Sequence, residues 1–160
     1  MTDEIVLLFL LLTANGTPVI AHYFLGKRFA YPVDGGKLFI DNEPLFGNSK
    51  TIRGILVSLF STGVIAPLLH IDAIHGLAIG ATAMLGDLAS SFTKRRMKRA
   101  PSSMALGLDQ IPESLLPVLF MKPVLGFSWL SVVFLVIAFF ILELLLSRIL
   151  FELRVRKKPY

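Results

Sequence analysis

The sequence predicts an all-α integral membrane protein of about five transmembrane helices, and three observations predict it. Of its 160 residues, 54% are hydrophobic and only 17% charged, a balance far more apolar than soluble domains show. The mean hydropathy is +0.72, and apolar stretches near the ~20 residues that cross a hydrocarbon core of ~30 Å recur along the chain. Basic residues gather beyond alternate ends of those stretches. The length suits one membrane domain, 1–160, with no internal repeat, low-complexity tract or linker.

Taken in order, helices are expected at about 4–25, 52–70, 74–97, 108–122 and 126–151. The first, beginning with Ile5 to Leu12, has no basic leader and no small-residue cleavage site, so it reads as a retained span and not a signal peptide. Asn15, Thr17 and Pro18 mark a polar kink within it, which suits packing or a pocket. The fourth is the weakest, being short and carrying Asp109, Pro112, Glu113 and Pro117. The segment Gly26 to Thr51 is too polar to cross, and Ile40-Asp41-Asn42-Glu43-Pro44 offers the turn residues of a small hairpin.

Orientation follows from the distribution of charge. With the N-terminus outside, Lys27, Arg28, Lys37, Lys50 and Arg53 fall in the first cytoplasmic loop. Lys94, Arg95, Arg96, Lys98 and Arg99 fall in the second, and Arg154, Arg156, Lys157 and Lys158 in the tail. The outer side keeps Lys122, Asp72 and the acidic start Asp3-Glu4. The positive-inside rule agrees at every loop, whereas a four-span arrangement would put the tail opposite the other basic clusters.

The absence of cysteine excludes disulfides, thiolate nucleophiles and cysteine metal sites. His22, His70 and His75 lack metal spacing, and no serine, histidine and acid arrangement suggests a hydrolase. The loop Gly47-Asn48-Ser49-Lys50-Thr51 is not a phosphate-binding P-loop, because the glycine before lysine and the preceding strand are missing. Thr51 suits an N-cap for the second span, and Lys50 with backbone amides there could hold an anion or serve only capping and orientation. A channel or transporter is disfavoured, because the charges gather at one interface and mark no path through the midplane.

Asp87 stands in the apolar, small-residue stretch Ile79 to Phe92, where a carboxylate costs a few kcal/mol unless paired, solvated or metal-bound. Ser90, Ser91 and Lys94 follow at offsets of three, four and seven, on one helix face. From spacing alone a structural ion pair and a ligand role are equally served. Asp109 and Glu113, four apart, form a second acid pair near the same boundary, and Glu113 equally suits a solvated acid of a first helical turn. Magnesium takes carboxylate and water oxygens and shares its coordination with substrate phosphates, so acids beside a basic cluster suit a nucleotide-phosphate site. The run Lys94 to Arg99 also fits a stop-transfer anchor facing anionic lipid, which composition alone favours.

Several segments, in order and spacing, resemble the CDP-archaeol synthase family, small relatives of the CDP-diacylglycerol synthases. They are Ala14-Asn15-Gly16-Thr17-Pro18-Val19, Tyr31-Pro32-Val33-Asp34-Gly35-Gly36 and Leu45-Phe46-Gly47-Asn48-Ser49-Lys50-Thr51-Ile52-Arg53-Gly54. Leu85-Gly86-Asp87-Leu88-Ala89-Ser90-Ser91-Phe92-Thr93-Lys94-Arg95-Arg96 and Leu108-Asp109-Gln110-Ile111 complete the set. The resemblance implies transfer of a cytidylyl group from CTP to a membrane lipid phosphate monoester, with Mg2+, giving a CDP-lipid and pyrophosphate. It implies no nucleic-acid partner and leaves a homodimer open. Asp87 and Asp109 would be metal-binding acids, with Lys94, Arg95 and Arg96 as phosphate-binding bases. Lys50, Thr51 and Arg53 would belong to a closing loop, and Asn15 would line the pocket. The family acid three residues after position 109 is Pro112 here, with Glu113 next to it as a substitute. The alternative is a non-catalytic membrane protein of the same fold that binds anionic lipid or nucleotide.

Overall fold

The computed structural model describes residues 2–101 and 103–156; Lys157 and Lys158, assigned above to the basic tail, lie outside them. It contains five α-helices: α1 (Asp3–Leu25), α2 (Ile52–Leu68), α3 (Ala73–Arg96), α4 (Gln110–Leu125) and α5 (Trp129–Glu152). The expected all-α class is what is found, with helix ends shifted by a few residues.

Local chemistry sets most of those ends. Thr51 Oγ1 accepts the Gly54 amide at 3.1 Å and caps α2. At the other end of α2, His70 takes φ +62°, and the Ile71 amide returns to the Ala66 carbonyl at 3.0 Å. That is a Schellman turn, which stops the helix short of residue 70. Ser128 caps α5 by accepting the Ser131 amide at 3.0 Å. The fourth helix differs most from expectation, running past Pro117 and Pro123 to Leu125, where Gly126 at φ +67° ends it. Pro112 lies in its first turn, where a missing N–H breaks no intrahelical bond.

Three helices, α1, α3 and α5, are long and apolar enough to cross a membrane, and α2 is a shorter apolar helix of 17 residues. Large apolar side chains stand outward around the bundle, Leu130, Leu68 and Phe60 among them at 79%, 75% and 73% exposure. Water does not tolerate such a surface on a monomer, whereas lipid does. Trp129, with Lys122 4.6 Å from its ring, sits at the end of the bundle opposite the basic loops. This is the interfacial place tryptophan favours.

Helix α1 touches each of the other four, while α2, α3, α4 and α5 follow one another around it. Its Leu7, Leu10 and Leu11 are fully buried with Ile79, Val118, Leu135 and Phe139. Helices α2 and α3 approach so closely that a β-carbon on Gly76 would lie 2.5 Å from the Thr62 carbonyl oxygen. Small residues permit this backbone contact between membrane helices. Thr17 and Ser61 join α1 to α2 by a hydroxyl pair at 2.8 Å.

The segment 26–51 forms no strand, but Leu38 and Pro44 make an isolated antiparallel bridge, with the Phe39 amide on the Glu43 carbonyl at 2.8 Å. The turn expected at 40–44 is therefore present as a minimal hairpin. A second bridge, Pro32 to Thr51, brings the segment back to the start of α2.

Candidate active site

Because the chain reverses at each connection, the end of α1, the start of α2, the end of α3, the start of α4 and the end of α5 share one side of the bundle. Asp87 lies nine residues before the end of α3, about 14 Å along the helix at 1.5 Å per residue. A charge at that depth needs a partner, and Lys50, at the entrance to α2, reaches in to form an ion pair with it. Lys50 is held in place by its amide on the Gly47 carbonyl at 3.1 Å and by its carbonyl on the Val33 amide at 2.9 Å. Burial works against its ammonium, but the carboxylates of Asp87, Glu113 and Asp109 outweigh it and hold its pKa above the usual lysine value. The two acid clusters expected from the sequence therefore lie within electrostatic reach of one cation.

A second ion pair lies beside the first. Lys94, buried on α3, meets Asp109 Oδ1 at 2.7 Å and the Ser103 carbonyl at 3.1 Å. Asp109 Oδ2 accepts the Ala105 amide at 3.0 Å, fixing the carboxylate to the loop that precedes α4. Glu113, one turn into α4, is buried and faces Asp87. Ser90 and Ser91 are buried on the same helix as Asp87, and the Ser90 hydroxyl is given to the Asp87 carbonyl at 2.9 Å.

The basic run at the end of α3 is largely turned inward. Arg95 is 3% exposed and gives one nitrogen to the Ala100 carbonyl at 2.9 Å, while its Nε is buried without a hydrogen-bond partner among the described residues. Arg96 lies between two rings, 4.8 Å from Phe39 and 4.7 Å from Phe92. It also pairs with Asp41 at 2.7 Å and bonds the Pro44 carbonyl at 2.8 Å, pinning the minimal hairpin to α3. Arg53 is occupied at the end of α1, where it bonds the carbonyls of Arg28 and Gly26 and approaches His22 Nδ1 at 3.3 Å. Asn15 gives its amide to the Leu11 carbonyl at 3.0 Å and lines a crevice between α1 and α5 with Glu143, Ser147 and Arg156. Lys50, Asp87, Lys94, Asp109 and Glu113 thus form one cluster, and Arg53, Arg96 and Asn15 are bonded elsewhere.

Two residues gain a place that sequence reasoning did not assign. Asp34 is buried, and its carboxylate accepts the amides of Gly36, Phe46 and Gly47, each at 2.9 Å. Burial raises its pKa, but these amides prevail and hold the carboxyl below its ordinary range. Glu143 on α5 accepts the Gln110 side-chain amide at 2.9 Å and the Ser147 hydroxyl at 3.2 Å. The signal for Glu143 was the one used for Asp87: an acid inside an apolar span.

Among the described residues, no three His, Cys, Asp or Glu side chains form a ready-made metal cage. The donors present are carboxylates in lysine pairs, the hard oxygen set that suits Mg2+ shared with substrate phosphates.

Comparison with known proteins agrees with the segments quoted above. Residues 3–160 match the model of a family described as CarS-like, CDP-archaeol synthase. The CDP-archaeol synthase of Pyrobaculum islandicum is 33% identical over 156 residues, 92% of this chain and 91% of that protein. That of Aeropyrum pernix is 36% identical over 133 residues, 79% of this chain and 72% of its own. A solved structure described as an intramembrane enzyme for archaeal membrane lipids biosynthesis superposes with a TM-score of 0.76 at 32% identity, over 91% of this chain and 92% of that one. By sequence, fold and the order of its motifs, this chain belongs to the CDP-archaeol synthase family and is an integral membrane enzyme.

Proposed function

We propose that the protein transfers a cytidylyl group from CTP to a membrane lipid phosphate monoester, in the manner of its CDP-archaeol synthase relatives. An oxygen of the lipid phosphate attacks the α-phosphorus of CTP; the bond from that phosphorus to the β-phosphate's bridging oxygen breaks, and pyrophosphate leaves. The products are a CDP-lipid and pyrophosphate. The observation that carries this reading is the paired arrangement Lys50 with Asp87 and Lys94 with Asp109, beside the under-bonded cation Arg95.

Such a reaction needs alignment and charge neutralisation more than a protein nucleophile. Asp87, Asp109 and Glu113 are the residues that would hold Mg2+. Bound there, the ion would supply Lewis-acid neutralisation of phosphate oxygens. Lys50 and Lys94 carry compact ammonium groups on flexible stems and now rest on those carboxylates. They are placed to turn to phosphate oxygens once the acids find another partner. Arg95 offers its Nε, which has no partner among the described residues, to an anion, which would complete the bonding that burial demands of a guanidinium. Ser90 and Ser91 add hydroxyls beside Asp87, and Arg96 holds the hairpin against the site.

On this reading the active site faces the cytoplasm and the N-terminus lies outside, which is supported by the basic residues of both loops lying at the same side of the bundle as the acid cluster. The lipid tail would meet only apolar helix faces, and the acceptor proposed is the ether-linked isoprenoid phosphate that the relatives' name specifies.

Purified protein in detergent, given labelled CTP, MgCl2 and in turn an ether-linked isoprenoid lipid phosphate and phosphatidic acid, tests this. A labelled CDP-lipid with release of pyrophosphate is the expected result. No nucleotide-dependent product with either acceptor would leave the protein a binder of anionic lipid or nucleotide.

A further inference from the structure

The acid cluster draws on α2, α3 and α4, and a second, part-buried polar network stands beside it on α5. Glu143 stands in the run Ile141-Leu142-Glu143-Leu144-Leu145-Leu146, in the most apolar of the long helices. A carboxylate there is costly unless several donors meet it. Two do, the Gln110 side-chain amide at 2.9 Å and the Ser147 hydroxyl at 3.2 Å, while Arg156, which donates to Ser147 Oγ, adds its charge at 3.8 Å. Arg156 comes from a tail that folds back on α5, its own amide on the Leu150 carbonyl at 3.0 Å.

The bond to Gln110 has a directional consequence. A carboxylate only accepts, so the face of the Gln110 amide turned toward it must be the NH2 group. The oxygen is thereby turned the other way, where it accepts the Gly107 amide at 3.0 Å. Asp109, the preceding residue, accepts the Ala105 amide at 3.0 Å with one oxygen and presents the other to Lys94. Two consecutive side chains thus grip the turn 105–107, and the orientation of one is dictated from α5.

We propose that Glu143, acting through Gln110, is a positioning residue that fixes Asp109 at the entrance to α4. The inference rests on the cytidylyltransferase reading, since it gives Asp109 its work. Removal of Glu143 frees the Gln110 amide to turn, releases the Gly107 amide and lets Asp109 drift from Lys94.

The full-length protein in detergent is compared as Glu143→Ala, Glu143→Gln, Gln110→Ala and the double Glu143→Ala/Gln110→Ala, with Glu152→Ala as a control. Glu152 is an exposed acid on the same helix, paired among the described residues with Arg148. Expected is a fall in kcat of about 100-fold for Glu143→Ala, the scale set by roughly 1 Å of misplacement, with KM for CTP within about twofold, because Asp109 is asked to align and not to bind the nucleoside. Glu143→Gln keeps an acceptor for Gln110 and should retain most activity, as should Glu152→Ala. Gln110→Ala and the double variant should match Glu143→Ala, since the two side chains act as one unit. Independently of turnover, hydrogen exchange at the Ala105 and Gly107 amides should rise about tenfold in Glu143→Ala, as expected for the loss of one buried hydrogen bond.

Additive losses in the double variant, a Glu143→Gln protein as impaired as Glu143→Ala, or unchanged exchange at residues 105–107 would each overturn the proposal. A wild-type protein that makes no CDP-lipid would instead remove the function, and the exchange comparison would still decide this inference.

Discussion

The backbone of α4 at Pro112 rests directly on Gly86 of α3: a β-carbon at Gly86 would lie 2.3 Å from the Pro112 carbonyl oxygen. The same carbon would meet the Glu113 amide nitrogen at 2.7 Å. These two positions flank the acid cluster, with Asp87 next to one and Glu113 next to the other. Pro112, which stands where the family resemblance leads one to expect an acid, is here a helix-contact residue.

Gly86→Ala therefore separates α3 and α4 at the site, because the obstructing atoms are backbone and cannot rotate away. Overpacking of this kind costs about 1–3 kcal/mol. The expected outcome is a folded, membrane-inserted protein with a lowered thermal midpoint and turnover reduced by roughly 100-fold, as for a misplacement of about 1 Å. Wild-type turnover would show that the spacing of Asp87 and Glu113 is not critical.

Asp87→Asn removes the negative charge and keeps the shape. Turnover that depends on magnesium should be abolished while membrane insertion is unchanged, as judged by magnesium titration of the purified protein. Lys50→Ala leaves Asp87 without its cation and should be the less stable variant. Breaking a fully buried pair costs ~3–5 kcal/mol, and the partial exposure of this one lowers that figure. Near-normal activity of Asp87→Asn would take it out of any metal site.

Lys94 and Arg95 divide the work differently. Lys94→Ala should chiefly raise the apparent KM for CTP and for the lipid phosphate, since its ammonium is released to phosphate only when Asp109 finds another partner. Arg95→Ala removes a buried cation whose Nε has no partner among the described residues, so its loss should weaken substrate binding more than it lowers stability. Binding isotherms with CTP and thermal melts on the same samples separate the two effects. Unchanged affinities in both variants would refute their roles.

Arg96→Lys tests the hairpin clamp. A lysine cannot lie flat between Phe39 and Phe92 while also bonding the carbonyls of Glu43 and Pro44. Limited proteolysis between residues 37 and 46 should quicken in this variant, with α3 and α4 resistant. An unaltered cleavage pattern would mean that the two rings and Asp41 hold the hairpin by themselves.

Asp34 gives the loop a predictable response to acid. Its carboxyl is held below the ordinary value of about 3.9, so its contribution is complete above that value and is lost as pH falls through the lower folded-state pKa. Hydrogen exchange at the Phe46 and Gly47 amides, corrected for its intrinsic pH dependence, should stay flat from pH 8 to about 5 and rise only below about 4. Asp34→Asn should show the raised exchange at every pH, because its NH2 group confronts amide donors. A transition near neutrality would assign the loop to another group.

The helices were legible because apolar runs near the membrane's thickness leave few alternatives, and the site's acids because a carboxylate in such a run demands explanation. What was not legible was direction. The same basic run that supplies Lys94 also supplies Arg96, and sequence spacing cannot say that one turns to Asp109 while the other lies between Phe39 and Phe92. Arg53 follows the caps of α2 closely in sequence, yet its guanidinium is spent on the carbonyls of Gly26 and Arg28. The role of Asp34 was hidden by distance, since two of its donors lie 12 and 13 residues further on. Glu143 stands in a run of leucines, and the partner that ties it to the site, Gln110, lies 33 residues before it.

The close seam between α2 and α3, where Gly76 meets Thr62, bears on biogenesis. Helix α2 is short for a bilayer, and α3 carries Asp87 and a chain of small residues; neither would partition readily by itself. Only residues 69–72 separate them, so the two can zip together during synthesis and enter lipid as one hairpin, each shielding the other's polar atoms. A bulky residue at position 76 would then show its damage first in the yield of inserted protein, before any chemistry is measured.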